Sequence, residues 1–290
     1  MKRIVIFADE PDWHCRRLLK AFARRQAAAS IVSLRKCGFS LGGDGSGLLI
    51  PGFERSLPDV ALVRNIPSGS FEQVTFRLSL LHALRELGIP VVNDARAIER
   101  CVDKSMTSFL LHRAGIPTPA TFVAEDQERA ASWRRTEPAD VVAKPLFGAQ
   151  GRGLSRIAPG EPTPDPGGDP LRGVLYLQRY VGRARDWQDY RVFCVGEVAA
   201  AAMVRRGASW VTNVARGGVC EPAPCTGRLA ELAAAAAAAV GAGYCGVDLI
   251  EDAERGFLVL EVNSMPAWKG LQSVAEIDLA DRIAHHVLGL

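Results

Sequence analysis

Apolar residues in the first third of the chain occur in short runs, separated by longer stretches in which they recur every three or four residues. The short runs predict strands at residues 3–8, 58–64 and 89–93, and the periodic stretches predict helices at 13–27 and 72–87. Strands that alternate with helices in this way favour a parallel sheet. A small α/β domain is therefore predicted at the start of the chain.

A second unit is predicted to begin near residue 99. Asp103 can cap a helix over 104–114, which Gly115 and the prolines after it would end. The segments that follow are predicted, in order, as a strand at 140–145, a glycine-rich turn at 147–153, a flexible surface loop at 158–170 and a strand at 174–181.

The last third of the chain is predicted to be a hairpin, a helix and a second hairpin. The first hairpin covers 189–206 and turns near Gly196, and an alanine-rich helix follows at 228–242. The second hairpin joins GVDLIED to GFLVLEVN. With the units above, this pattern predicts a mixed α/β (α+β) chain divided at 1–98, 99–182 and 183–290.

Composition narrows the class of protein. The chain has 290 residues, 48% of them hydrophobic, with a formal net charge of +3, so it can bury a large core and lacks the basic runs typical of nucleic-acid binding. Its seven cysteines are odd in number and include no CxxC pair, which argues against a disulfide framework or a zinc knuckle. No segment resembles a signal peptide or a membrane span, so we expect a cytoplasmic protein.

Two acidic residues and an amide stand out in the final hairpin. If residues 253–256 form a four-residue loop closed by Asp252 opposite Phe257, then Asp248 lies directly opposite Glu261. Directly opposed residues have Cβ atoms about 4.5–5.5 Å apart, and like charges there repel. A cation between the two carboxylates would relieve that repulsion.

Asn263 lies on the same strand face as Glu261, because side chains alternate along a strand. An oxygen-only set of Asp248, Glu261 and Asn263 suits a hard cation such as Mg²⁺. The alternative is a pair of solvated acids at an exposed hairpin end. The apolar residues on either side of these positions favour the metal site.

A lysine followed by a glycine-rich turn indicates phosphate binding. Lys144 ends the strand at 140–145 and leads into FGAQGRG, whose glycines allow backbone N–H groups to approach phosphates. Lys104 begins a helix, where the helix dipole disfavours a cation unless an anion is close. Neither a GxxxxGK[ST] loop nor the landmarks of a protein kinase is present.

Arginines recur on the strands before the final hairpin. Asp189 and Arg191 share a face of the strand that begins the 189–206 hairpin, and Arg205 or Arg206 returns on its partner. Further on, TNVARGG brings Asn213 and Arg216 beside two glycines. Each arginine alone would be an ordinary surface residue, but their order ahead of the acidic hairpin points to anion binding.

The series of motifs resembles the ATP-grasp superfamily, most closely the RimK-like carboxylate–amine ligases, whose members add glutamate to a carboxylate. The matching motifs are DK at 103–104, GIPTP at 115–119, AKPLFGAQGRG, LQRYV, DYRVFCVG, NVARGG, GVDLI and EVNSMP. The resemblance covers the chain from about Arg64 to the helix after Gly270. It implies an ATP-grasp fold with an N-terminal pre-ATP-grasp domain, a central lid-like domain and a C-terminal domain.

The resemblance also implies roles for individual residues. Lys104 and Lys144 would bind ATP phosphates, covered by the turn that contains Gly148, Gly151 and Gly153. The hinge of Gln178, Tyr180 and Val181 would meet adenine, with Asp189 at the ribose and Asn213 among the nucleotide-binding residues. Arg191, Arg205 and Arg216 would bind the anionic reaction centre, and Asp248, Glu261 and Asn263 would hold two Mg²⁺ ions, with Mn²⁺ as a substitute.

The implied reaction is ATP-dependent amide formation through an acyl phosphate. The expected partners are an acceptor carboxylate, on a small molecule or a peptide, and an amino acid, expected to be glutamate; a homo-oligomer is left open. Trp268 and Lys269 depart from the family pattern at the substrate end and would suit a planar or acidic acceptor, such as a pterin-type one-carbon cofactor. The alternatives are an ATP-grasp small-molecule kinase and a non-catalytic nucleotide-binding module.

Overall fold

Three main β-sheets organise the chain. The structure, a computed structural model, describes residues 1–43, 45–148, 151–164, 173–182 and 187–290. Each main sheet falls within one of the three units expected from the sequence, whose boundaries stay a prediction. Within the described ranges, no helix has the length and apolar character needed to cross a membrane.

The first sheet has four parallel strands in the order β2-β1-β5-β6, so the parallel sheet predicted at the start of the chain is confirmed. Its strands are β1 Arg3–Phe7, β2 Ala28–Val32, β5 Val60–Val63 and β6 Val91–Val92, with helices α1 Trp13–Arg24, α2 Phe71–Glu86 and α3 Ala95–Val102. A separate two-stranded ladder joins β3 Gly38–Phe39 to β4 Leu48–Leu49. Strand β2 and helix α3 were not predicted.

The second sheet has four antiparallel strands in the order β7-β10-β8-β9. Its elements are α4 Lys104–Arg113, β7 Thr121–Ala124, α5 Gln127–Thr136, β8 Val141–Lys144, β9 Ser155–Ile157 and β10 Leu175–Arg179. Asp103 caps α4 by accepting hydrogen bonds from the backbone N–H groups of Ser105 and Met106, as predicted. The predicted surface loop at 158–170 lies partly outside the described residues.

The third sheet has five antiparallel strands in the order β13-β12-β11-β14-β15. Its strands are β11 Gln188–Val195, β12 Val198–Arg206, β13 Val219–Ala223, β14 Tyr244–Asp252 and β15 Gly256–Asn263. Helices α6 Gly227–Val240, α7 Lys269–Gln272 and α8 Leu279–Leu288 complete the chain. The predicted turn near Gly196 is confirmed between β11 and β12.

The final hairpin reaches the predicted pairing by a different route. Asp248 lies opposite Glu261, as expected, but Asp252 pairs with Gly256 rather than with Phe257, so the predicted four-residue loop is wrong. A register shift between Asp248 and Leu249 inserts one extra residue on the partner strand and restores the pairing. Such a β-bulge leaves one residue of the longer strand unpaired, and here that residue is Leu260.

The two faces of the third sheet are covered by different layers. Helix α6 packs on one face, where Ala233, Ala236 and Ala237 are fully buried against apolar residues of β11, β14 and β15. Helices α1 and α8 and the first sheet cover the other face, around Phe193 and Tyr244. Small alanine side chains let α6 approach the sheet closely, so the packing there leaves little room for a larger residue.

We expect Ala236→Leu to lower the free energy of unfolding by about 1–3 kcal/mol, because extra methylene groups must be forced into a filled core. Ala235 is exposed on the same helix, and Ala235→Leu serves as the matched control, with an expected change within about 0.5 kcal/mol. Urea unfolding of the two variants measures both values. Equal destabilisation by the two substitutions would contradict the described packing of α6.

Candidate active site

A cavity between the second and third sheets collects most of the residues singled out by the sequence. Its wall includes Lys104, Lys144, Gly148, Gly151, Gln178, Tyr180, Val181, Asp189, Arg205, Asn213, Asp248 and Glu261. The other predicted site residues, Gly153, Arg191, Arg216 and Asn263, are not among its lining residues. Segments separated by more than a hundred positions in the sequence therefore meet at one place.

A row of charged residues crosses three strands of the third sheet. Arg191 on β11 pairs with Asp248 on β14, which in turn pairs with Glu261 on β15. The Nη2 atom of Arg191 donates to Asp248 Oδ2 at 2.7 Å, and its Nε donates to Oδ1. The like charges of Asp248 and Glu261 are thus placed side by side with a guanidinium on one flank.

A second arginine completes the pairing of Asp248. Arg205 Nη2 lies 3.1 Å from Asp248 Oδ2, and Arg205 Nε donates to Asp189 Oδ1 at 2.7 Å. Burial raises the pKa of the Asp248 carboxyl, but the charges of Arg191 and Arg205 outweigh burial and hold that pKa below its ordinary value. Asp248 is therefore a carboxylate at neutral pH.

The arginines differ in how well they match their predicted role. Arg205 lines the cavity, whereas Arg191 is buried behind Asp248 and reaches the cavity through that carboxylate. Arg216 ends a short 3₁₀ helix at 214–216 and is exposed. Contact of Arg191 and Arg216 with a reacting group stays a prediction.

The bulge in β15 explains how the cavity acquires both acidic and apolar lining. Leu260 and Glu261 are neighbours in the sequence, and both line the cavity. In a regular strand, consecutive side chains point to opposite faces of the sheet, so one of the two would face away. The extra residue at the bulge re-aims the pair toward the same side.

Asn263 supports the acidic pair from the end of β15. Its Nδ2 atom donates to Glu261 Oε1 at 3.1 Å, which leaves the amide oxygen of Asn263 available as an acceptor. Among the residues that the structure describes, no group of three His, Cys, Asp or Glu side chains could hold a metal ion. The donor set of two carboxylates and one amide fits a Mg²⁺ ion that takes its remaining ligands from water and phosphate.

Two lysines face this acidic pair, and neither forms an ion pair with another described residue. Lys144 Nζ donates to Gln178 Oε1 at 2.6 Å, and Lys104 Nζ donates to the carbonyl oxygens of Gly148 at 2.9 Å and Leu146 at 3.3 Å. Burial lowers the pKa of both ammonium groups, and Glu261 is the main charge that counteracts this. A bound anion would stabilise both cations.

A buried hydrogen-bond chain supports Lys144 and was not predicted. Gln178 Nε2 donates to Thr121 Oγ1 at 3.1 Å and to the Tyr176 hydroxyl at 3.2 Å, and that hydroxyl lies 2.7 Å from Ser108 Oγ. Tyr176 is also directly opposite Lys144 in the ladder between β10 and β8. In the sequence, the alternation of Tyr176 and Gln178 in LYLQR indicates that both side chains share one face of the strand. It predicts these hydrogen bonds only once β8 is known to be the neighbouring strand.

An apolar region of the cavity suits a planar ring. Its lining residues are Val142, Leu154, Tyr180, Trp210, Ile250 and Leu260. The Arg156 guanidinium lies 3.9 Å above the ring of Tyr180, and Trp210 contacts the same ring edge to face. Most of these residues were not predicted, because apolar side chains at a cavity look like ordinary core residues in a sequence.

Gly151 allows the glycine-rich turn to lie directly over the cavity. Its φ of +67° is favourable only for glycine, and a Cβ there would lie 2.6 Å from Asn213 Oδ1 and 2.8 Å from Val211 Cγ1. Two residues of the predicted turn, 149 and 150, lie outside the described residues. A side chain at 151 would push the turn away from the 211–213 segment.

The two lysines complement the charge of a triphosphate, and the adjacent carboxylates complement its divalent cation. The apolar region beside them accommodates the base of the same nucleotide. An enzyme of the ATP-grasp class is defined by such a cleft between two antiparallel sheets. The chain belongs to the RimK-like ATP-grasp family: the model of the RimK-like ATP-grasp domain matches residues 101–287 and that of the RimK PreATP-grasp domain matches 1–98.

Similar proteins agree with this assignment. A tetrahydromethanopterin:alpha-L-glutamate ligase of Methanosarcina acetivorans is 32% identical over 99% of both chains, and one of Methanococcus maripaludis is 36% identical over 81% of both. The solved ATP-grasp ligase PsnB, complexed with minimal precursor, Mg and ADP, has a TM-score of 0.75 at 18% identity and covers 99% of this chain and 96% of its own, a likeness of fold alone. The predicted family and fold class are confirmed. The chain is an ATP-dependent carboxylate–amine ligase that uses a divalent cation.

We expect Asp248→Asn to lower the free energy of unfolding by about 3–5 kcal/mol, because Arg191 and Arg205 would lose a buried partner charge. Glu251 is exposed on the same strand, and Glu251→Gln is the matched control. Because the folded-state pKa of Asp248 is depressed, its contribution is complete at neutral pH and declines as the pH falls below about 4. Denaturant unfolding of both variants at pH 7 and at low pH measures these effects. An Asp248→Asn variant as stable as the wild type would contradict the described network.

Proposed function

We propose that this ligase forms an amide bond between the amino group of L-glutamate and a carboxylate of a pterin-type one-carbon cofactor. The observation that carries the proposal is the similarity to a protein named as a tetrahydromethanopterin:alpha-L-glutamate ligase, which extends over 99% of both chains at 32% identity. The similarity extends over the whole chain rather than over the nucleotide cavity alone. The alternative acceptor is a carboxylate of a peptide, and the experiment below distinguishes a peptide from a pterin-type acceptor.

Each predicted site residue is assigned to the nucleotide, to its cations or to the reaction centre. We assign two Mg²⁺ ions, replaceable by Mn²⁺, to Asp248, Glu261 and Asn263, and the phosphates to Lys104 and Lys144. The turn with Gly148, Gly151 and Gly153 covers the phosphates, Gln178, Tyr180 and Val181 meet the adenine, and Asp189 and Asn213 complete the nucleotide site. Arg191, Arg205 and Arg216 are assigned to the reaction centre, and the exposed position of Arg216 requires the 214–216 segment to approach the substrate.

The proposed reaction has two steps. The acceptor carboxylate attacks the γ-phosphorus of ATP, forming an acyl phosphate and releasing ADP. The amino group of glutamate then attacks the acyl carbon, forms the amide and releases phosphate. Bound Mg²⁺ supplies positive charge that makes the phosphoryl group easier to transfer.

The chain itself contributes electrostatics rather than a nucleophile. Lys104 and Lys144 neutralise phosphate charge in a water-poor cavity, where such interactions are stronger than in bulk water. Arg191 and Arg205 keep Asp248 ionised and fix its orientation. No covalent intermediate with a side chain is required by this scheme.

ADP release tests the proposed function. The purified protein with Mg-ATP and L-glutamate is supplied with a panel of pterin-type carboxylates and peptides, and we expect ADP and phosphate to form in equal amounts only when acceptor and glutamate are both present. Mass spectrometry should find the acceptor heavier by one or more glutamyl groups. A phosphorylated product without phosphate release would indicate a kinase instead, and turnover with peptides alone would exclude the pterin acceptor.

We expect Glu261→Gln to lower the turnover number about 10²–10³-fold, the usual loss when one electrostatic contact to a transition state is removed. The Mg²⁺ concentration for half-maximal rate should also rise. Glu254 is exposed in the loop of the same hairpin, so Glu254→Gln should match the wild type in both measurements. Full activity of Glu261→Gln would exclude Glu261 as a metal ligand.

A further inference from the structure

Arg64 is a buried cation without sufficient partners. It follows β5 directly, is 7% exposed, and its Nε and Nη1 atoms have no hydrogen-bond partner among the described residues. The indole Nε1 of Trp268, which is 1% exposed, is unpartnered in the same way. Leaving a buried donor unsatisfied costs about 1–3 kcal/mol, and more when the donor is charged.

Trp268 lies against His14, and the charge of Arg64 acts on the same histidine. The backbone N–H of Trp268 donates to His14 Nε2 at 3.2 Å, and the two rings pack edge to face with centroids 4.8 Å apart. Burial lowers the pKa of His14, and the nearby charges of Arg64 and Lys269 lower it further. Two cations thus act on one small region.

Asp12 places a negative charge beside His14 but forms no ion pair with Arg64 among the described residues. Its carboxylate lies 2.7 Å from His14 Nδ1 and accepts the backbone N–H of Cys15 at 2.7 Å as the cap of α1. No ion pair joins Arg64 to a carboxylate within the described part of the chain. The surroundings of Arg64 therefore favour an additional anion.

The region lies on the same sheet face as the candidate reaction centre. Tyr244, Gly246 and Asp248 alternate along β14, and the Tyr244 hydroxyl donates to the carbonyl of Val63, the residue before Arg64, at 2.7 Å. By the usual rise of a strand, Tyr244 and Asp248 are about 13 Å apart. A small extended substrate can span that distance.

Gly246 lets the side chains of Arg191 and Pro266 pack closely over β14 between these two points. A Cβ at this position would lie 3.0 Å from Arg191 Cδ and 3.1 Å from Pro266 Cβ. A substrate that reaches from Asp248 toward Arg64 would pass over Arg191 and Pro266 rather than over bare strand. The carboxyl ends of β1 and β5, where Arg64 sits, are also the edge at which parallel sheets commonly bind ligands.

We propose that Arg64 and the indole N–H of Trp268 form a subsite that binds a second, non-reacting carboxylate of a substrate of this ligase. The proposal rests on the proposed function, in which both the incoming amino acid and the acceptor carry carboxylates. A guanidinium fork matches the two oxygens of a carboxylate, and a neutral indole N–H adds one more donor. The nucleotide phosphates are separately accounted for by Lys104 and Lys144.

Direct binding and kinetics test the subsite. Calorimetry with L-glutamate and with glutarate should show binding about 10–100-fold weaker for Arg64→Gln, which replaces the charged fork by a neutral amide. Binding should be several-fold weaker for Trp268→Phe, which loses the N–H together with part of the ring. Arg55 is exposed in the same part of the chain, so Arg55→Gln is the matched control and should bind as the wild type does. Affinity for a non-hydrolysable ATP analogue with Mg²⁺ should be unchanged in all three, and thermal unfolding shows that each is folded.

Steady-state kinetics identify the source of the carboxylate. If Arg64→Gln raises the KM for L-glutamate, with a smaller effect on kcat, the subsite binds the incoming amino acid. If it raises only the KM for the acceptor, the subsite binds the acceptor. Either result supports the subsite. Unchanged KM values and unchanged carboxylate binding in Arg64→Gln overturn it while leaving the ligase function intact. If the wild type forms no glutamyl product, the proposed function is wrong. The glutarate titration still shows whether Arg64 binds a carboxylate, because it does not depend on turnover.

Discussion

The pairing of Asp248 with Arg191 and Arg205 is the interaction on which the site depends. Two carboxylates side by side in a sheet would push each other apart, and the low dielectric of the interior would strengthen that effect. The arginines make the arrangement tolerable in the absence of a ligand, since one flanks Asp248 on the neighbouring strand and the other links it to Asp189. Glu261 is left facing Lys104 and Lys144, so the protein presents a charge pattern that a metal-bound polyphosphate completes.

The β-bulge at Leu260 converts this charge row into a binding surface. It lets Glu261 and Leu260 face the same cavity, so that the position of the cation and part of the apolar wall are fixed by consecutive residues. A bulge has no reliable mark in the sequence, because LVLEVN reads as a regular strand. The cavity therefore owes its mixed character to a local irregularity of the backbone rather than to an unusual residue.

Much of the fold could be predicted because periodicity, capping residues and glycines are local signals. The Asp103 cap, the parallel first sheet and the opposition of Asp248 and Glu261 all follow from short stretches of sequence. The predicted pairing of Asp248 with Glu261 is correct although the predicted loop is one residue too long, because the bulge at Leu260 makes up the difference. The hydrogen-bond chain that joins Lys144, Gln178 and Tyr176 could not be predicted, because it depends on which strands become neighbours. The buried position of Arg191 could not be predicted either, because it depends on β14 lying between β11 and β15.

Helix α8 ties the end of the chain back to its beginning. It packs on α1, where Arg24 and Arg25 form ion pairs with Asp278 and Asp281 at 2.8 and 2.6 Å. During synthesis the N-terminal sheet emerges well before α8, which is one of the layers that cover it. The first unit must therefore wait, with an apolar flank open to solvent, until the second and third sheets have been synthesised and α8 has been made.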